Sequence, residues 1–293
     1  MSRFVPSLSD TTIGIFLVVT GLSLAALAGA FMKILSADLS AVQITWFRFT
    51  GYALLLIPVV AWRFGRQVFA SNNIAMQVIR GITMAFSTSL FVLGVRTVDY
   101  ADAIAILYAY PFLLTLFAIF FLKERVAWKA WLGIFGGFAG VLLVMQPGFG
   151  SWNMGSLFVF LCAVVVSIQM TLNRRLGGIS HPLITSLWGA LVATLVLSML
   201  LPGNWQPVGA GHLGSLIALI LLGGISQTII VFAFARAKAS TLAPFTYLEI
   251  VAAVLIGLLI FGTLPNWVSW FEIGFIVIGG LIVARSLPAT QTD

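Results

Sequence analysis

Long apolar runs, each about 20 residues and separated by short polar turns, set the pattern of this chain. Ten can be marked: residues 12–34, 41–62, 75–95, 101–122, 127–146, 154–173, 182–202, 212–234, 241–261 and 267–285. Apolar residues follow one another within each run instead of alternating with polar ones. That excludes the strands of a membrane barrel and fits helices, which satisfy every backbone polar group internally. Turn residues punctuate the runs, as in Gln146-Pro147-Gly148-Phe149-Gly150 and Leu201-Pro202-Gly203-Asn204. Thr12 to Lys33 is long enough to span and has no basic stretch before a short apolar core, so it reads as a span and not as a cleaved signal. The expectation is an all-α integral membrane protein of ten transmembrane helices, with little chain left for a soluble domain.

Composition agrees. The 293 residues hold 15 Lys and Arg against 8 Asp and Glu, and 61% are hydrophobic. A soluble domain is about a quarter charged, and no soluble fold of this size hides so much apolar surface. The net charge of +7 would suggest nucleic acid in a soluble protein. In a membrane protein, cytoplasmic loops rich in Lys and Arg produce it. With the N-terminus inside, Arg3, Arg63, Arg66, Arg80, Lys123, Arg125, Lys129, Arg174, Arg175, Arg236, Lys238 and Arg285 fall on the cytoplasmic side. Only Lys33 and Arg96 fall outside, so both termini are expected in the cytoplasm of a multi-pass protein of the cytoplasmic membrane. Lipid is its surroundings, and nucleic acid is not a partner.

A shift of 140 residues sets the chain against itself. Ser40-Ala41-Val42-Gln43-Ile44-Thr45 meets Ser180-His181-Pro182-Leu183-Ile184-Thr185, Thr88 meets Thr228, Arg96 meets Arg236, Ala103 meets Ala243 and Gly140 meets Gly280. Each half, 1–146 and 147–293, holds five spans. Five is odd, so the second half enters the membrane from the opposite side, giving a five-plus-five inverted repeat. Secondary transporters share this design, with substrate sites near the midplane between the halves.

The first half carries Tyr108-Ala109-Tyr110-Pro111-Phe112, then Phe121-Leu122-Lys123-Glu124-Arg125, then Trp131-Leu132-Gly133. The second half carries Pro244-Phe245-Thr246-Tyr247-Leu248-Glu249. A mid-span proline, a Glu-Arg turn and a following Gly resemble the EamA family of the drug/metabolite transporter superfamily. The second half departs from that pattern: Ile250 follows Glu249 where the family has Pro, and Gly262-Thr263-Leu264-Pro265 replaces the second Glu-Arg turn. The resemblance implies export of small metabolites, and the overall sequence is similar to the bacterial aromatic amino-acid exporters.

Polar groups inside spans are expensive and mark function or a structural hydrogen bond. Pro111 removes one backbone donor and frees the carbonyl of Leu107. Tyr108, Pro111 and Thr115 share a helical face, read as a cavity wall with a kink or as an ordinary kink. Thr241, Phe245 and Glu249 share a face of span 9. A charged carboxylate at the depth of Glu249 is costly, so Glu249 is the candidate to bind a substrate ammonium or carry a proton; the plainer reading is a paired structural group. Thr83 and Ser87 on span 3, Gln227 on span 8 and Gln169 on span 6 are the remaining substrate-binding candidates, against simple helix–helix hydrogen bonding. Arg96 and Asp102 are a candidate gate at the outer ends. Arg48 could attract a substrate carboxylate or pair with a buried acid, and the family resemblance implies a structural role more than substrate contact. Trp46 and Trp188 read as core, the Trp residues at span ends as interface anchors, and the Gly-rich spans 5 and 10 as scaffold packing.

No phosphate-binding Gly-Lys-Ser/Thr loop is present, so ATP does not drive transport on this chain. Two His and the single Cys162 offer neither a metal cluster nor a nucleophile–base pair, and an enzyme reading has nothing to stand on. No cofactor or metal is expected. A pore would line several spans with polar residues, whereas here they gather at mid-depth. The expected protein is a secondary transporter exporting amino acids, aromatic or neutral, by alternating access, as a monomer or weak homodimer. A carrier of drugs, nucleotide sugars or phosphate esters is the alternative.

Overall fold

A computed structural model describes residues 8–65, 68, 73–122, 131, 153–177, 179–246, 248–262 and 274. Among these the regular elements are all helical: α1 (Leu8–Leu35), α2 (Ala41–Phe64), α3 (Ile74–Val95), α4 (Tyr100–Leu107), α5 (Tyr110–Leu122), α6 (Met154–Gly177), α7 (Pro182–Leu200), α8 (Ala210–Arg236), α9 (Ala239–Thr246) and α10 (Leu248–Phe261). A short 3-10 turn, Pro202–Asn204, joins α7 to α8. Eight stretches among the described residues are long and apolar enough to cross a membrane, with α4–α5 and α9–α10 each making up one span. Spans 5 and 10, with their Gly pairs and the anchors Trp128, Trp152 and Trp267, lie outside the described residues apart from Trp131 and Gly274.

Helix ends follow local chemistry. Ser40 Oγ accepts from the Gln43 N–H at 3.1 Å and starts α2. His181 Nδ1 does the same for Leu183 at 3.2 Å and starts α7. Burial, then the nearby Arg63 charge, hold the His181 imidazole below its ordinary value. The neutral, accepting form is therefore in place above the ordinary value of about 6.5, and the cap is lost as the pH falls through the lowered one. In span 4 the helix stops at Leu107, and Tyr108 leaves helical geometry with ψ near 4°. Pro111, second residue of α5, cannot donate back to Leu107, so the interruption falls one turn before it.

The helices pair in a pattern that survives exchange of the two halves. α1 packs on α8 as α6 packs on α3; α3 packs on α7 as α8 packs on α2; α5 packs on α6 as α10 and α9 pack on α1. α2 with α7 is its own counterpart, and α5 with α9 answers to α10 with α4. Lipid tails are as apolar as side chains, so close approach of small residues holds such pairs together. Ala26, Ala28 and Ala30 of α1 lie buried in one cluster with Val92 and Val95 of α3 and Val159 and Ala163 of α6. Bulky Phe16, Met199 and Leu259 stand exposed on the outer faces, where lipid covers such groups.

The α3–α6 crossing is closest at Gly94 and Gly155. A Cβ on Gly94 would sit 2.3 Å from Val159 Cγ2 and 3.0 Å from the Gly155 carbonyl oxygen. The obstacle includes backbone, so the helices must separate to admit it. Gly94→Leu is expected to reduce the monodisperse fraction after detergent extraction at least severalfold, measured by size-exclusion chromatography. Gly203→Leu, where an added Cβ meets nothing within 4 Å, serves as control. Equal yields for the two variants would show that the crossing tolerates bulk.

Candidate functional site

α1, α2, α3, α4, α5, α6, α8 and α10 surround a cavity of about 110 Å³, room for several water molecules. Ala26 and Gly29 of α1, Phe91 of α3 and Tyr100 and Tyr110 of span 4 give it apolar and aromatic walls. Its polar groups are few: Arg48 from α2, Ser87 and Thr88 from α3, Gln169 from α6, Gln227 from α8 and Glu249 from α10. A mostly apolar pocket with a small set of placed polar groups is the usual form of a small-molecule site.

Glu249 lies on α10 near the middle of span 9. The Thr246 hydroxyl donates to the Ala243 carbonyl at 2.6 Å, a bond within α9. Glu249 is 5% exposed and lies against Tyr108. Tyr100 completes that wall; its hydroxyl donates to the Ala26 carbonyl oxygen and ties α4 to α1. The interruption of span 4 at Tyr108, behind this wall, matches the interrupted helices that recur in secondary transporters.

Arg48 lies at another part of the wall, beside Tyr52 and Cys162. Its guanidinium carbon is 5.3 Å from the centroid of the Phe49 ring, within cation–π range. Among the described residues no acid or hydrogen-bond acceptor engages it, and it faces the cavity with its donors available. Gly223 of α8 gives it room: a Cβ there would sit 2.8 Å from Arg48 Nε. The obstacle is a flexible side chain, so Gly223→Ala should fold and re-aim the guanidinium. The expected result is a KM for a carboxylate substrate raised about tenfold, the loss of one charge-assisted hydrogen bond, with normal protein yield. An unchanged KM would mean that substrate does not meet Arg48.

The remaining sequence candidates divide. Ser87 and Gln169 are brought together, with Ser87 Oγ 3.3 Å from Gln169 Oε1. Gln227 faces the same cavity, and its Nε2 has no partner among the described residues. Tyr108, Pro111 and Thr115 are buried just behind the wall; Tyr108 stacks at 5.9 Å on Tyr110, which does line it. Thr115 Oγ1 turns back to the Pro111 carbonyl at 2.9 Å, and Thr83 Oγ1 to that of Arg80 at 2.7 Å, both as helix bonds. Phe245 packs half-buried against a second cluster around Leu242. Arg96 Nη2 donates to the Leu39 carbonyl at 2.5 Å, while Asp102 lies half-buried in the first turn of α4. Lys33, near Asp99 and Asp102, donates to the carbonyls of Val98 and Val95 at 2.8 and 3.2 Å. Trp46 and Trp188 point away from the cavity, donating to Ser198 Oγ at 2.8 Å and the Val68 carbonyl at 3.0 Å. Sequence reasoning undervalued Arg48, Thr88, Tyr100 and Tyr110. For Arg48 the available signal was a deep cation with no acid on its own span.

Known proteins share this frame. The chain is 24% identical over 235 residues to an S-adenosylmethionine uptake transporter of Rickettsia bellii, covering 80% of each. It is 27% identical over 242 residues to a riboflavin transporter of Rhizobium johnstonii, covering 80% of this chain and 78% of that one. It is 24% identical over 284 residues to the pseudopaline exporter CntI of Pseudomonas aeruginosa, covering 95% and 96%. A solved crystal structure superposes with a TM-score of 0.69 at 21% identity, over 96% of this chain and 99% of the other, which shows a shared fold. The EamA-like transporter family matches twice, over residues 12–146 and 153–285. With nearly the whole length matched, this multi-pass membrane chain belongs to the EamA-like transporter family, whose members are membrane transporters.

Proposed function

We propose that the protein is a secondary transporter that exports amino acids, neutral and aromatic ones first, across the cytoplasmic membrane. One observation carries the reading: a cation, Arg48, and an acid, Glu249, line separate parts of a single cavity whose walls are aromatic and apolar. An amino-acid zwitterion supplies the matching carboxylate and ammonium, and its side chain fills the apolar space. The S-adenosylmethionine carried by the Rickettsia protein also bears an amino-acid group. A phosphate-ester or nucleotide-sugar carrier would want several cations, and Arg48 is the basic residue found on the wall among the described residues.

Movement is by alternating access between two five-helix halves, 1–146 and 147–293, of opposite orientation, with both termini in the cytoplasm. Helix pairing that survives exchange of the halves supports this, as do the two family matches of similar length. Glu249 carries the proton where transport is coupled, and Arg96 with Asp102 closes the outer end.

The test is counterflow in liposomes containing the purified protein, with labelled phenylalanine and leucine, and with S-adenosylmethionine, riboflavin and a nucleotide sugar in parallel. Saturable uptake of an amino acid, competed by other amino acids, is the expected result. Saturable uptake of riboflavin or the sugar alone would overturn the substrate class. Non-saturable flux would indicate a pore.

A further inference from the structure

Arg80 lies outside the cavity and has no place in the site described above. It is fully buried, at 0% exposure, where α3, α6 and α7 meet. Its guanidinium holds only neutral partners: Nε donates to Asn173 Oδ1 and Nη1 to the Thr185 carbonyl at 3.0 Å. Nη2 has no partner among the described residues. One turn earlier, Gln77 Nε2 donates to Thr185 Oγ1 at 3.2 Å while its Oε1 is left unpaired. A helix clamp needs no charge for these bonds; a neutral amide would serve at less desolvation cost. Among the described residues no acid pairs with the charge.

A route joins Arg80 to the cavity. Ser87, which lines the cavity, lies seven residues along α3 from Arg80, on the same helical face. Tyr52 of α2 is within electrostatic reach of both Arg80 and Arg48 and is anchored through Thr228 Oγ1 at 2.6 Å. Gly189 of α7 leaves the guanidinium its room, since a Cβ there would fall 2.1 Å from Nη1. In the orientation proposed above, Arg80 stands between the cavity and the cytoplasmic end.

We propose that Arg80 is a second carboxylate-binding station, which receives the anionic end of the substrate at the cytoplasmic side when α3 parts from α7 and hands it on to Arg48. A guanidinium matches a carboxylate with two parallel N–H donors. Nη2 is already free, and Nη1 becomes so once the Thr185 carbonyl withdraws. The direction of travel rests on the exporter reading; the anion station does not.

The experiment uses the unaltered full chain in liposomes and the arginine-directed reagent phenylglyoxal, with the modification of each arginine followed by peptide mass spectrometry. Sodium benzoate is the anionic probe and benzamide its uncharged match; exposed Arg63 reports reagent supply. Arg80 is expected to react during turnover, and benzoate to slow it at least threefold while benzamide leaves it unchanged and Arg63 responds to neither. An Arg80 that stays unmodified while Arg63 is consumed would overturn the proposal, leaving a permanent clamp. So would modification that benzoate does not slow. Amino-acid counterflow separates the two readings: protection of Arg80 without amino-acid transport removes the substrate assignment and keeps the station, whereas transport without protection does the reverse.

Discussion

Transport by Glu249→Gln is expected to run at one rate across pH, where the native protein's rate changes with it. The substitution keeps the size and hydrogen-bonding capacity of the side chain and removes the proton it can carry. The site favours this reading of Glu249 over a purely structural one. The residue is buried and faces a cavity. Tyr108 and Tyr100 lie close to it, and neither supplies a positive charge to hold it permanently ionised. On the proposed reading, a carboxyl so placed alternates between a proton and a substrate ammonium as the cavity opens to each side. If one proton exchanges for one substrate, a difference of one pH unit stores about 1.4 kcal/mol and supports about a tenfold substrate gradient. Native protein in liposomes with such a gradient should approach that accumulation. Glu249→Gln should equilibrate substrate and accumulate none. Native-like accumulation and pH profile in the variant would make Glu249 structural.

Much of this was legible in the sequence, and the limits have physical causes. The apolar runs at 41–62 and 75–95 became α2 (Ala41–Phe64) and α3 (Ile74–Val95), because bilayer thickness fixes helix length. The interruption of span 4 followed from Pro111. For span 9 the same rule puts a break in the turn before Pro244, yet α9 stays helical from Ala239 past it to Thr246. Ser87, Gln169, Gln227 and Glu249 stood out as polar groups at mid-span. Their partners did not: the repeat aligns Ser87 with Gln227, while the structure sets it beside Gln169. The repeat relates equivalent positions in the two halves, whereas contact depends on how helices cross. Tyr100 carried no signal of its own in the sequence, and its hydroxyl reaches inward to α1. Arg48 was ambiguous for the same reason: a cation in a span is structural or functional according to its neighbours, and those come from α8 and α6, far away in sequence.

Arg48→Gln carries the other large expected effect. Two charge-assisted hydrogen bonds to a carboxylate contribute about 1.5–3 kcal/mol each. Loss of the equivalent of one of these bonds, with the Gln amide keeping a donor, corresponds to a KM raised by about 10- to 100-fold, at about 1.4 kcal/mol per tenfold. The effect should follow the substrate's charge. Phenylalanine should lose affinity, and phenylalaninamide, which has no carboxylate, should bind native protein and variant within about threefold of each other. Arg48→Lys keeps the charge but not the planar pair of donors, so it should fall between them. Folding is not at stake in these comparisons, because each variant is read as a ratio between two substrates on the same protein. Gly223→Ala supplies the matching geometric test, in which Arg48 is retained and only its aim changes. Were Arg48→Gln to weaken phenylalanine and phenylalaninamide equally, the guanidinium would be shaping the cavity and not reading the carboxylate. The zwitterion pairing of Arg48 with Glu249 would then fail, even if Glu249→Gln behaved as expected.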